Sequence, residues 1–395
     1  MPNRINPRVV GMKCIRCQEL HPLADYFEGC PACLKACIPA SVAPHYDGFP
    51  SSLDFKSIGD WISYCKPSGL GEGGTSLSRL PRLAGSLGLG ALYTKNEFTN
   101  PAGSHKDRMA AMIVQRALDV GVRTLAVASS GNAGASMAAY AAHGGLECVV
   151  VTTPDMSPNW RRAIEMYGAR LVVTKSSDER WQLIAQKSKN GEWYPATNYI
   201  IPPVGSNPFG VDGYRAIALE IYLQLEELPT DIVVPTARGD LIWGIAKGFK
   251  DLQEAALLHS IPKVHAVEPF PRIEGALGGN GVVGFFPDET NMVSIGGNTV
   301  TQQSIHALEI SHGSTATVPD GDVATDQAVL AKEGLYLELS SVASLTGLRK
   351  LINAGKIAPN AHVVLIATSH GYKEATLAVD RWSQDDRENI AVSFS

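Results

Sequence analysis

A chain of 395 residues is long enough for two core domains, and its 45% hydrophobic and 18% charged residues are typical of a globular protein rather than a disordered one. The net charge of -5, without a block of basic residues, argues against nucleic acid as a partner. The lack of an apolar run of about 18 residues predicts no membrane span, and an N-terminus without an apolar signal core predicts a cytoplasmic protein.

Cysteines mark the N-terminal segment. Cys14, Cys17, Cys30 and Cys33 follow the spacing C-x2-C-x12-C-x2-C. Two such knuckles let four thiolates converge on one ion, so the spacing predicts a structural zinc site. The alternative is a knuckle of reduced cysteines that holds no metal, and in either case Cys37 is predicted not to be a ligand.

After a linker-like stretch at 41–52, strand and helix patterns alternate from about residue 60 to the end. Short β-branched apolar runs predict six strands, at 124–130, 147–153, 169–175, 231–236, 263–269 and 362–369. Longer periodic stretches predict helices at 109–118, 134–144, 178–189, 214–228, 241–259 and 344–355. This alternation indicates parallel sheets covered by helices. A long glycine-rich loop is predicted at 275–304.

Lys106 lies in the short polar turn NPAGSHKDR, directly before the predicted helix at 109–118. A lysine in a polar turn is most often a solvated surface charge. The other interpretation is a lysine that forms a Schiff base with an aldehyde cofactor. The residues of the turn alone do not separate these two interpretations.

Two further turns combine a preceding strand, small residues and a following helix. The first runs from Ser129 to Ser136 and is rich in glycine, and the second follows Pro235 and contains Arg238. Backbone N–H groups at a helix N-terminus bind anions, so each turn could hold a carboxylate or a phosphate. The first could instead serve packing alone. The second is a weak signal by itself, because it matches neither a P-loop nor a dinucleotide fingerprint.

The last predicted strand ends in Thr368, Ser369 and His370. Hydroxyls at the carboxyl end of a parallel strand lie where such sheets bind ligands, although the same residues could simply cap the strand. The histidines of the chain show no H-E-x-x-H or similar spacing, so the sequence predicts no catalytic metal.

Taken in order, these motifs resemble those of the threonine synthase-like branch of the fold-type II pyridoxal-phosphate-dependent enzymes. The resemblance covers essentially the whole chain, and a CxxC pair also occurs near the N-terminus of some members. The motifs that carry it are GEGGTSL at 71–77, NPAGSHKDR at 100–108, SSGNAGAS at 129–136, NPFGVDGYRAIALEI at 207–221 and ATSHGYKE at 367–374.

The resemblance implies a role for each matching residue. Lys106 would bind the aldehyde of pyridoxal phosphate, Asn132 would hydrogen-bond its ring hydroxyl, and Thr368, or alternatively Ser369, would face its ring nitrogen. The cofactor phosphate would lie in the turn formed by Thr236, Ala237, Arg238, Gly239 and Asp240. The substrate carboxylate would bind, mostly through backbone N–H groups, to Ser129, Ser130, Gly131 and Ala133.

A threonine at the ring nitrogen has a chemical consequence. Unlike an aspartate, the hydroxyl of Thr368 would not force this nitrogen to stay protonated, so the ring would be a milder electron sink. That property favours elimination and replacement at Cβ or Cγ over transamination. Once displaced by the substrate amine, Lys106 would be free to move the α-proton.

On the cofactor side, two residues depart from the family pattern. Arg238 is a bulky residue in a turn that is usually richer in glycine and asparagine, and it is expected either to contact the cofactor phosphate or to shape the substrate pocket. His105 replaces the usual phenylalanine beside the lysine, and the pair resembles the HK pair of the tryptophan synthase β-subunit. Its ring is expected either to pack near the cofactor phosphate or only to fill the same space.

The substrate side departs at Gly210. Threonine synthases usually carry an arginine at this position, which grips the phosphate of O-phosphohomoserine. The sequence leaves Arg215, or the pair Arg161 and Arg162, as substitutes for that arginine.

The expected fold is α/β, of fold type II, with two parallel-sheet three-layer domains, the cofactor between them, and a zinc-ribbon-like segment at 1–45. The larger, cofactor-binding domain is expected at 46–115 and 215–395, and the smaller α/β domain at 116–214. The resemblance also implies a homodimer.

The expected function is a pyridoxal-phosphate-dependent elimination or replacement on a small amino acid that carries a leaving group, as in threonine synthase. One alternative is an amino-acid ammonia-lyase or dehydratase, and another is a β-replacement synthase such as cysteate synthase. The remaining alternative is a non-catalytic protein on a decayed enzyme fold. The intact lysine, asparagine loop and terminal hydroxyls argue against it.

Overall fold

The computed structural model describes residues 5–67, 69–283, 286 and 289–374. Within these ranges the chain forms three sheets, of three, six and four strands. The helices of the described ranges include none that is both long and apolar enough to cross a membrane.

The N-terminal segment forms a three-stranded antiparallel sheet in the order β2-β1-β3. Its elements are β1 (Val9–Cys14), β2 (Leu20–His21), α1 (Pro31–Lys35) and β3 (Val42–Tyr46). The stretch at 41–52 is therefore not a linker, because it contains β3. Pro44 hides this strand in the sequence, since proline is tolerated in a strand only at a sheet edge, where β3 lies.

The chain then contributes the first strands of the six-stranded sheet and the helix that begins at the candidate lysine. These elements are β4 (Leu77–Arg79), α2 (Pro81–Ser86), β5 (Ala91–Lys95) and α3 (Lys106–Asp119). Strand β4 is antiparallel to β5 and forms the edge of the sheet, so this sheet is not wholly parallel.

The middle of the chain forms the four-stranded sheet, whose paired strands are all parallel in the order β8-β7-β6-β9. Its elements are β6 (Thr124–Ala128), α4 (Asn132–His143), β7 (Glu147–Thr152), α5 (Pro158–Met166), β8 (Arg170–Val173), α6 (Ser177–Lys189) and β9 (Tyr194–Pro195). Leu125 and Val127 pack into the central core, whereas Ala126 packs with Trp181 of α6. Helices therefore cover both faces of this sheet.

The rest of the chain returns to the six-stranded sheet, whose order is β12-β11-β10-β13-β5-β4. The elements are α7 (Pro208–Asp212), α8 (Arg215–Gln224), β10 (Asp231–Pro235), α9 (Asp240–Glu254), β11 (Lys263–Glu268), α10 (Arg272–Gly275), α11 (Gln302–Ser311), β12 (Thr315–Thr317), α12 (Asp320–Lys332), α13 (Leu339–Asn353) and β13 (His362–Ile366). Ile232 and Val234 pack into the central core, and Val233 packs with Leu345 of α13 on the other face. This sheet is also the middle of three layers.

All six strands predicted from the sequence are present, and each ends one to three residues before its predicted end. The helix predicted at 214–228 ends at Gln224. The region 275–304 is mostly irregular, as predicted, although residues 284, 285, 287 and 288 lie outside the described residues. Shorter 3-10 and π turns occupy Ile58–Trp61, Glu97–Thr99, Ala276–Asn280, Val293–Ile295 and Gly371–Lys373.

Candidate active site

A cavity of about 770 Å³ lies where β6, β10 and β13 end. Parallel strands bring their carboxyl ends to one edge of a sheet, and that edge is where α/β proteins bind ligands. Every cofactor- and substrate-binding residue predicted from the sequence lines this cavity: His105, Lys106, Ser129, Ser130, Gly131, Asn132, Ala133, Thr236, Ala237, Arg238, Gly239, Asp240 and Thr368.

Buried polar contacts hold the turn that presents Lys106. The carboxylate of Asp107 accepts hydrogen bonds from the backbone N–H of Ala102 and from Oγ of Ser136, both at 2.5 Å. Gly103 adopts a φ of 82°, which permits the reversal of the chain before α3. Burial raises the pKa of Asp107 to about 6.

A fully buried ion network anchors the first turn of α3. The guanidinium of Arg108 donates to both carboxylate oxygens of Glu97 and of Glu220, at 2.7–2.8 Å. Lys95 donates to Glu220 at 2.6 Å. Since α3 begins at Lys106, these contacts place that lysine at the cavity edge.

The amine of Lys106 is available for chemistry. Its Nζ donates to the hydroxyl of Tyr214 at 3.1 Å, and it forms no ion pair with a carboxylate among the described residues. Burial lowers the pKa of Lys106, against the opposing charge of Asp240. A lower pKa raises the fraction of the nucleophilic, uncharged amine near neutral pH. The interpretation of Lys106 as a solvated surface charge is therefore wrong.

His105 is a buried, neutral residue beside the lysine. Its backbone N–H donates to the carbonyl oxygen of Thr368 at 2.9 Å, and its ring lies 5.5 Å from that of Tyr214. Burial and the adjacent charge of Lys106 hold the pKa of His105 well below its ordinary value. His105 therefore joins α3 to the end of β13.

Asn132, at the N-terminus of α4, is fixed by charged residues. Its amide nitrogen donates to both carboxylate oxygens of Glu338, at 3.0 and 3.1 Å. Its amide oxygen accepts from Nζ of Lys373 at 3.0 Å and from Oγ of Ser369 at 3.2 Å. The sequence did not point to Glu338 or Lys373. Burial raises the pKa of Glu338 and lowers the pKa of Lys373.

The hydroxyls after β13 have different surroundings. Oγ of Ser369 donates to Asn132 and to the carbonyl oxygen of Gly103. The backbone N–H of Thr368 donates to Oγ of Ser341 at 2.8 Å, but its hydroxyl forms no hydrogen bond within the described part of the chain and faces the cavity. Thr368 is thus the hydroxyl that a ligand can engage.

The turn between β10 and α9 presents free backbone N–H groups to the cavity. Gly239 has a φ of 132°, and a Cβ there would lie 2.5 Å from the backbone nitrogen of Ser304, so only glycine fits. The first N–H groups of α9 have no partners within the helix. The carboxylate of Asp240 is engaged by the N–H and the hydroxyl of Ser206, at 3.0 and 2.6 Å. An anion at this helix N-terminus is favoured.

None of the substitutes proposed for the family arginine reaches the cavity. Gly210 faces α3, where a Cβ would lie 2.6–2.8 Å from Ile113 and Met109. Arg215 is buried in ion pairs with Asp212 and Asp251. The remaining candidates, Arg161 and Arg162, are exposed and do not line the cavity.

Two arginines do line the cavity, and one of them, Arg180, was not identified from the sequence. It lies in the first turn of α6, and its guanidinium donates to the hydroxyl of Ser130 at 3.3 Å. The other is Arg238, whose Nε donates to the hydroxyl of Thr299 at 2.8 Å and whose guanidinium lies 5.1 Å from the ring of Trp181. Arg238 therefore reaches toward α6.

The four predicted zinc ligands converge. The sulfurs of Cys14 and Cys33 are 3.7 Å apart, those of Cys17 and Cys30 are 3.6 Å apart, and all four lie within 4.8 Å of one another. Four sulfurs at ~2.3 Å from a tetrahedral zinc would be ~3.8 Å apart. The separations are too long for disulfides, and the donor set fits a structural zinc.

Fold and cavity together define a class of protein. Two three-layer α/β units bring to one cavity a lysine of lowered pKa, an anion-binding helix N-terminus and a free hydroxyl. This is an α/β enzyme site in which a lysine can react with a small anionic ligand.

Comparisons with known proteins identify the family. The sequence model described as "Pyridoxal-phosphate dependent enzyme" matches residues 69–369. The threonine synthase of Methanocaldococcus jannaschii is 32% identical over 318 residues, which are 78% of this chain and 77% of that protein. The threonine synthase of Halalkalibacterium halodurans is 32% identical over 314 residues, 78% of this chain and 85% of that protein.

Solved structures share the fold. The O-ureido-L-serine-bound K43A mutant of O-ureido-L-serine synthase has a TM-score of 0.63 at 21% identity and covers 85% of this chain and 97% of its own. An L-serine ammonia-lyase from Rhizomucor miehei has a TM-score of 0.63 at 21% identity and covers 75% of this chain and 93% of its own. The chain belongs to the pyridoxal-phosphate-dependent enzyme family, and it is a lyase or synthase that uses this cofactor.

Proposed function

We propose that this enzyme catalyses elimination or replacement at Cβ or Cγ of a small amino acid, with threonine synthase as the nearest named activity. The observation that carries this proposal is the pairing, in one cavity, of the Lys106 amine with a free hydroxyl from Thr368 rather than a carboxylate. Pyridoxal phosphate, when bound, supplies an electron sink for charge that develops at the substrate Cα. A hydroxyl partner favours the milder sink that elimination and replacement need.

The residues present fit the cofactor. Lys106 would hold its aldehyde, and the backbone amides that follow Thr236, up to Asp240, would hold its phosphate, since the N–H of Thr236 itself donates to the carbonyl oxygen of Val267. Asn132 would bind its ring hydroxyl, and Thr368 its ring nitrogen. Since the carboxylate of Asp240 is adjacent to the phosphate position, the guanidinium of Arg238 offsets part of its negative charge.

Glu338 is proposed to position the side chain of Asn132. Its carboxylate accepts hydrogen bonds from the amide nitrogen of Asn132, which also donates to Oγ of Ser294 at 3.2 Å, so the amide oxygen of Asn132 faces Lys373 and Ser369. A buried, fully hydrogen-bonded network of this kind keeps one rotamer, so it sets the angle at which Asn132 meets the cofactor ring.

Lys106 is proposed to be the group that moves the substrate α-proton. The lowered pKa keeps part of its population uncharged, as a general base requires. The hydroxyl of Tyr214, 3.1 Å away, orients the amine. His105 stays neutral and packs against Tyr214, so we assign it to holding this aromatic pair beside the cofactor rather than to proton transfer.

The substrate carboxylate is proposed to bind at the turn before α4. The residues from Ser129 to Ala133 line the cavity, and a turn at a helix N-terminus offers backbone N–H groups to a carboxylate. Ser130 adds a hydroxyl, which also contacts the hydroxyls of Thr152 and Thr153 at 3.0 and 3.1 Å.

An ammonia-lyase or dehydratase, or a cysteate synthase-like replacement, is the second candidate. The observation that favours it is the packing of Gly210 against α3, which leaves no room for the family arginine. A replacement or elimination that does not use this arginine is therefore compatible with the site.

We further propose the domain division 46–115 with 215–395, and 116–214, of which residues 375–395 lie outside the described part of the chain. A homodimer, a cytoplasmic location and a zinc-bound N-terminal segment complete the proposal. The thiol arrangement of the four cysteines supports a reducing compartment. Light scattering after size-exclusion chromatography tests the dimer, which a mass of about 42 kDa would contradict.

The decisive assay for the function is a panel of O-phospho- and O-acetyl-amino acids, together with serine and threonine, with product identification. Threonine and free phosphate formed from O-phosphohomoserine would establish the threonine synthase reaction. A 2-oxo acid and ammonia from serine or threonine would establish the lyase instead. Turnover of no member of the panel by cofactor-loaded enzyme would overturn the proposal.

A further inference from the structure

Arg272 is a fully buried charged residue that lies behind the cavity and does not line it. It is the first residue of the short helix α10, which follows β11 of the six-stranded sheet. Burial lowers the pKa of Arg272 to about 10, against the opposing charge of Glu268, so its guanidinium is charged at neutral pH. A buried cation costs free energy unless hydrogen bonds and an opposite charge offset that cost.

The carboxylate of Glu268 is only part of that compensation. It accepts hydrogen bonds of 2.9–3.1 Å from the backbone N–H groups of Arg272, Ile273 and Glu274. Nε of Arg272 lies 3.4 Å from this carboxylate and forms no hydrogen bond among the described residues. The two terminal nitrogens of the guanidinium are therefore available for other partners.

These terminal nitrogens join two segments of the cavity wall. One donates to the carbonyl oxygen of Thr236 at 3.0 Å, and the other donates to the carbonyl oxygen of Gly297. Thr236 begins the turn between β10 and α9, whereas Gly297 belongs to the glycine-rich region at 275–304, and both residues line the cavity. A single guanidinium therefore holds the turn and the glycine-rich region together from the protein interior.

The same two hydrogen bonds orient the peptide groups that follow Thr236 and Gly297. Both peptides are trans, and the C=O and N–H of a trans peptide point in opposite directions. Since both carbonyls are turned toward Arg272, the N–H groups of Ala237 and Asn298 point away from it. Both of these residues line the cavity, and neither N–H has a hydrogen-bond partner among the described residues.

On the basis of the cofactor site proposed above, we propose that Arg272 is a positioning residue for the cofactor phosphate. Its guanidinium fixes the carbonyl groups of Thr236 and Gly297 on the interior side of the cavity wall. The N–H groups of Ala237 and Asn298 then face the phosphate, which is bound between the turn and the glycine-rich region rather than by the turn alone. Because Arg272 does not line the cavity, it acts only through these backbone groups.

The glycine-rich region also fixes Arg238, the bulky residue of the turn. The hydroxyl of Thr299 accepts a hydrogen bond from Nε of Arg238 at 2.8 Å, and the hydroxyl of Thr301 donates to its carbonyl oxygen at 2.7 Å. A Cβ on Gly297 would lie 3.4 Å from the guanidinium of Arg238. The region and the turn thus touch at several points, and the loss of Arg272 is expected to loosen both.

This contact requires a guanidinium for two reasons. The planar fork of arginine holds its donors in fixed directions, so one side chain can bond two carbonyls from different segments. Its charge also polarises both carbonyls, which strengthens the hydrogen bonds that the same peptide groups donate. Lysine carries its charge at one point, so Arg272→Lys keeps the charge but loses the fork.

The test compares pyridoxal phosphate with pyridoxal, which lacks the phosphate. The full-length protein is freed of cofactor and titrated with each compound, and binding is followed by the absorbance band near ~410–420 nm that a lysine adduct gives. The variants are Arg272→Met and Arg272→Lys. The matched control is Arg215→Lys, because Arg215 is also buried and does not line the cavity.

We expect Arg272→Met to weaken the binding of pyridoxal phosphate at least about tenfold and that of pyridoxal less than about threefold. The affinity ratio of the two compounds should fall less in Arg272→Lys and stay unchanged in Arg215→Lys. General damage to the fold would weaken both compounds alike, so the ratio separates positioning from folding. Circular dichroism is recorded for each variant, and Arg272→Lys decides if Arg272→Met is misfolded.

An affinity ratio that is unchanged in the Arg272 variants would overturn the proposal. Gly239→Ala separates this failure from a failure of the proposed cofactor site, because a Cβ there would lie 2.5 Å from the backbone nitrogen of Ser304 and distort the turn. If Gly239→Ala alone lowers the ratio, the phosphate binds at the turn and Arg272 does not position it. If no variant lowers the ratio, the proposed cofactor site fails together with the role of Arg272. Neither result depends on which substrate is turned over.

Discussion

Replacing Arg108 by methionine tests whether the buried ion network positions α3. Arg108 forms four hydrogen bonds of 2.7–2.8 Å to Glu97 and Glu220, and both carboxylates are almost fully buried. Lys95 still neutralises Glu220 in the variant, but Glu97 keeps only neutral donors, Thr75 and Asn100. Removing one partner of a buried pair in this way costs about 3–5 kcal/mol.

The expected change in melting temperature follows from the size of the chain. An unfolding entropy of about 2.1 cal/mol/K per residue over 395 residues gives about 0.8 kcal/mol per degree, so Arg108→Met should lower Tm by about 4–6 °C. Calorimetry of the holoenzyme measures this change. The matched control is Arg161→Met, which breaks an exposed pair with Glu165 worth at most about 0.5 kcal/mol.

A double variant isolates the pair. Glu97→Gln in the Arg108→Met background removes the uncompensated charge, so the double variant should be less destabilised than the sum of the two single variants. A Tm for Arg108→Met within about 1 °C of the Arg161→Met control would refute the assignment of this network as the anchor of α3.

Three further predictions concern packing, metal and pH. Gly210→Ala should destabilise the protein by at least about 1 kcal/mol in thermal unfolding, because the new Cβ meets α3. The control is Gly85→Ala, which should be neutral or stabilising because a Cβ there meets nothing within 4 Å. Equal effects of the two substitutions would contradict the packing argument. Metal analysis should find about one zinc ion per chain. The zinc should be lost in Cys17→Ser and retained in Cys37→Ser. Loss of zinc in both variants would exclude the assigned ligand set. The pKa of Asp107 is raised to about 6 in the folded protein, so ionising this carboxyl lowers the free energy of unfolding of the wild type as pH rises from about 4 to 6. Asp107→Asn lacks this loss, so its free energy of unfolding should rise relative to the wild type by up to about 3 kcal/mol over that range. A difference in unfolding free energy that stays constant with pH would contradict this.

The residues that line the cavity could be placed there from the sequence because their environment is local. Lys106, Asn132 and Thr368 each follow a strand or open a helix, so their position at a sheet edge follows from chain order and the geometry of parallel strands. The ordered motifs of the family then assigned a role to each. The structure brings all of them to one cavity.

Residues that depend on tertiary packing were missed. Arg180 lies in the charged first turn of α6, which looks like the first turn of any surface helix in the sequence. Only the position of α6 in the fold brings Arg180 to the cavity. Glu338 directly precedes the apolar helix α13, and no spacing in the sequence links it to Asn132, which lies 206 residues away. Tyr214 lies in the motif at 207–221, but it is 108 residues away in sequence from Lys106, which it contacts.

The same limit explains why Arg215 and the pair Arg161 and Arg162, named as substitutes for the arginine absent at position 210, do not reach the cavity. The sequence shows that the arginine is absent, but not that Gly210 faces Ile113 and Met109 of α3. Among the strands, β9 has two residues and β12 has three, so neither is long enough to show a periodic pattern. Their pairing is set by neighbouring strands rather than by their own residues.

The central claim is that Lys106 is the lysine that binds the cofactor. The competing candidate is Lys373, whose amine donates to Asn132. Holoenzyme is expected to show an absorbance band near ~410–420 nm that is lost in Lys106→Ala. Reduction of the wild type with borohydride, followed by tryptic digestion and mass spectrometry, locates the attachment directly. The account predicts a cofactor-modified peptide that contains Lys106. Modification of Lys373, or an unmodified Lys106 in protein that shows the band, would contradict it.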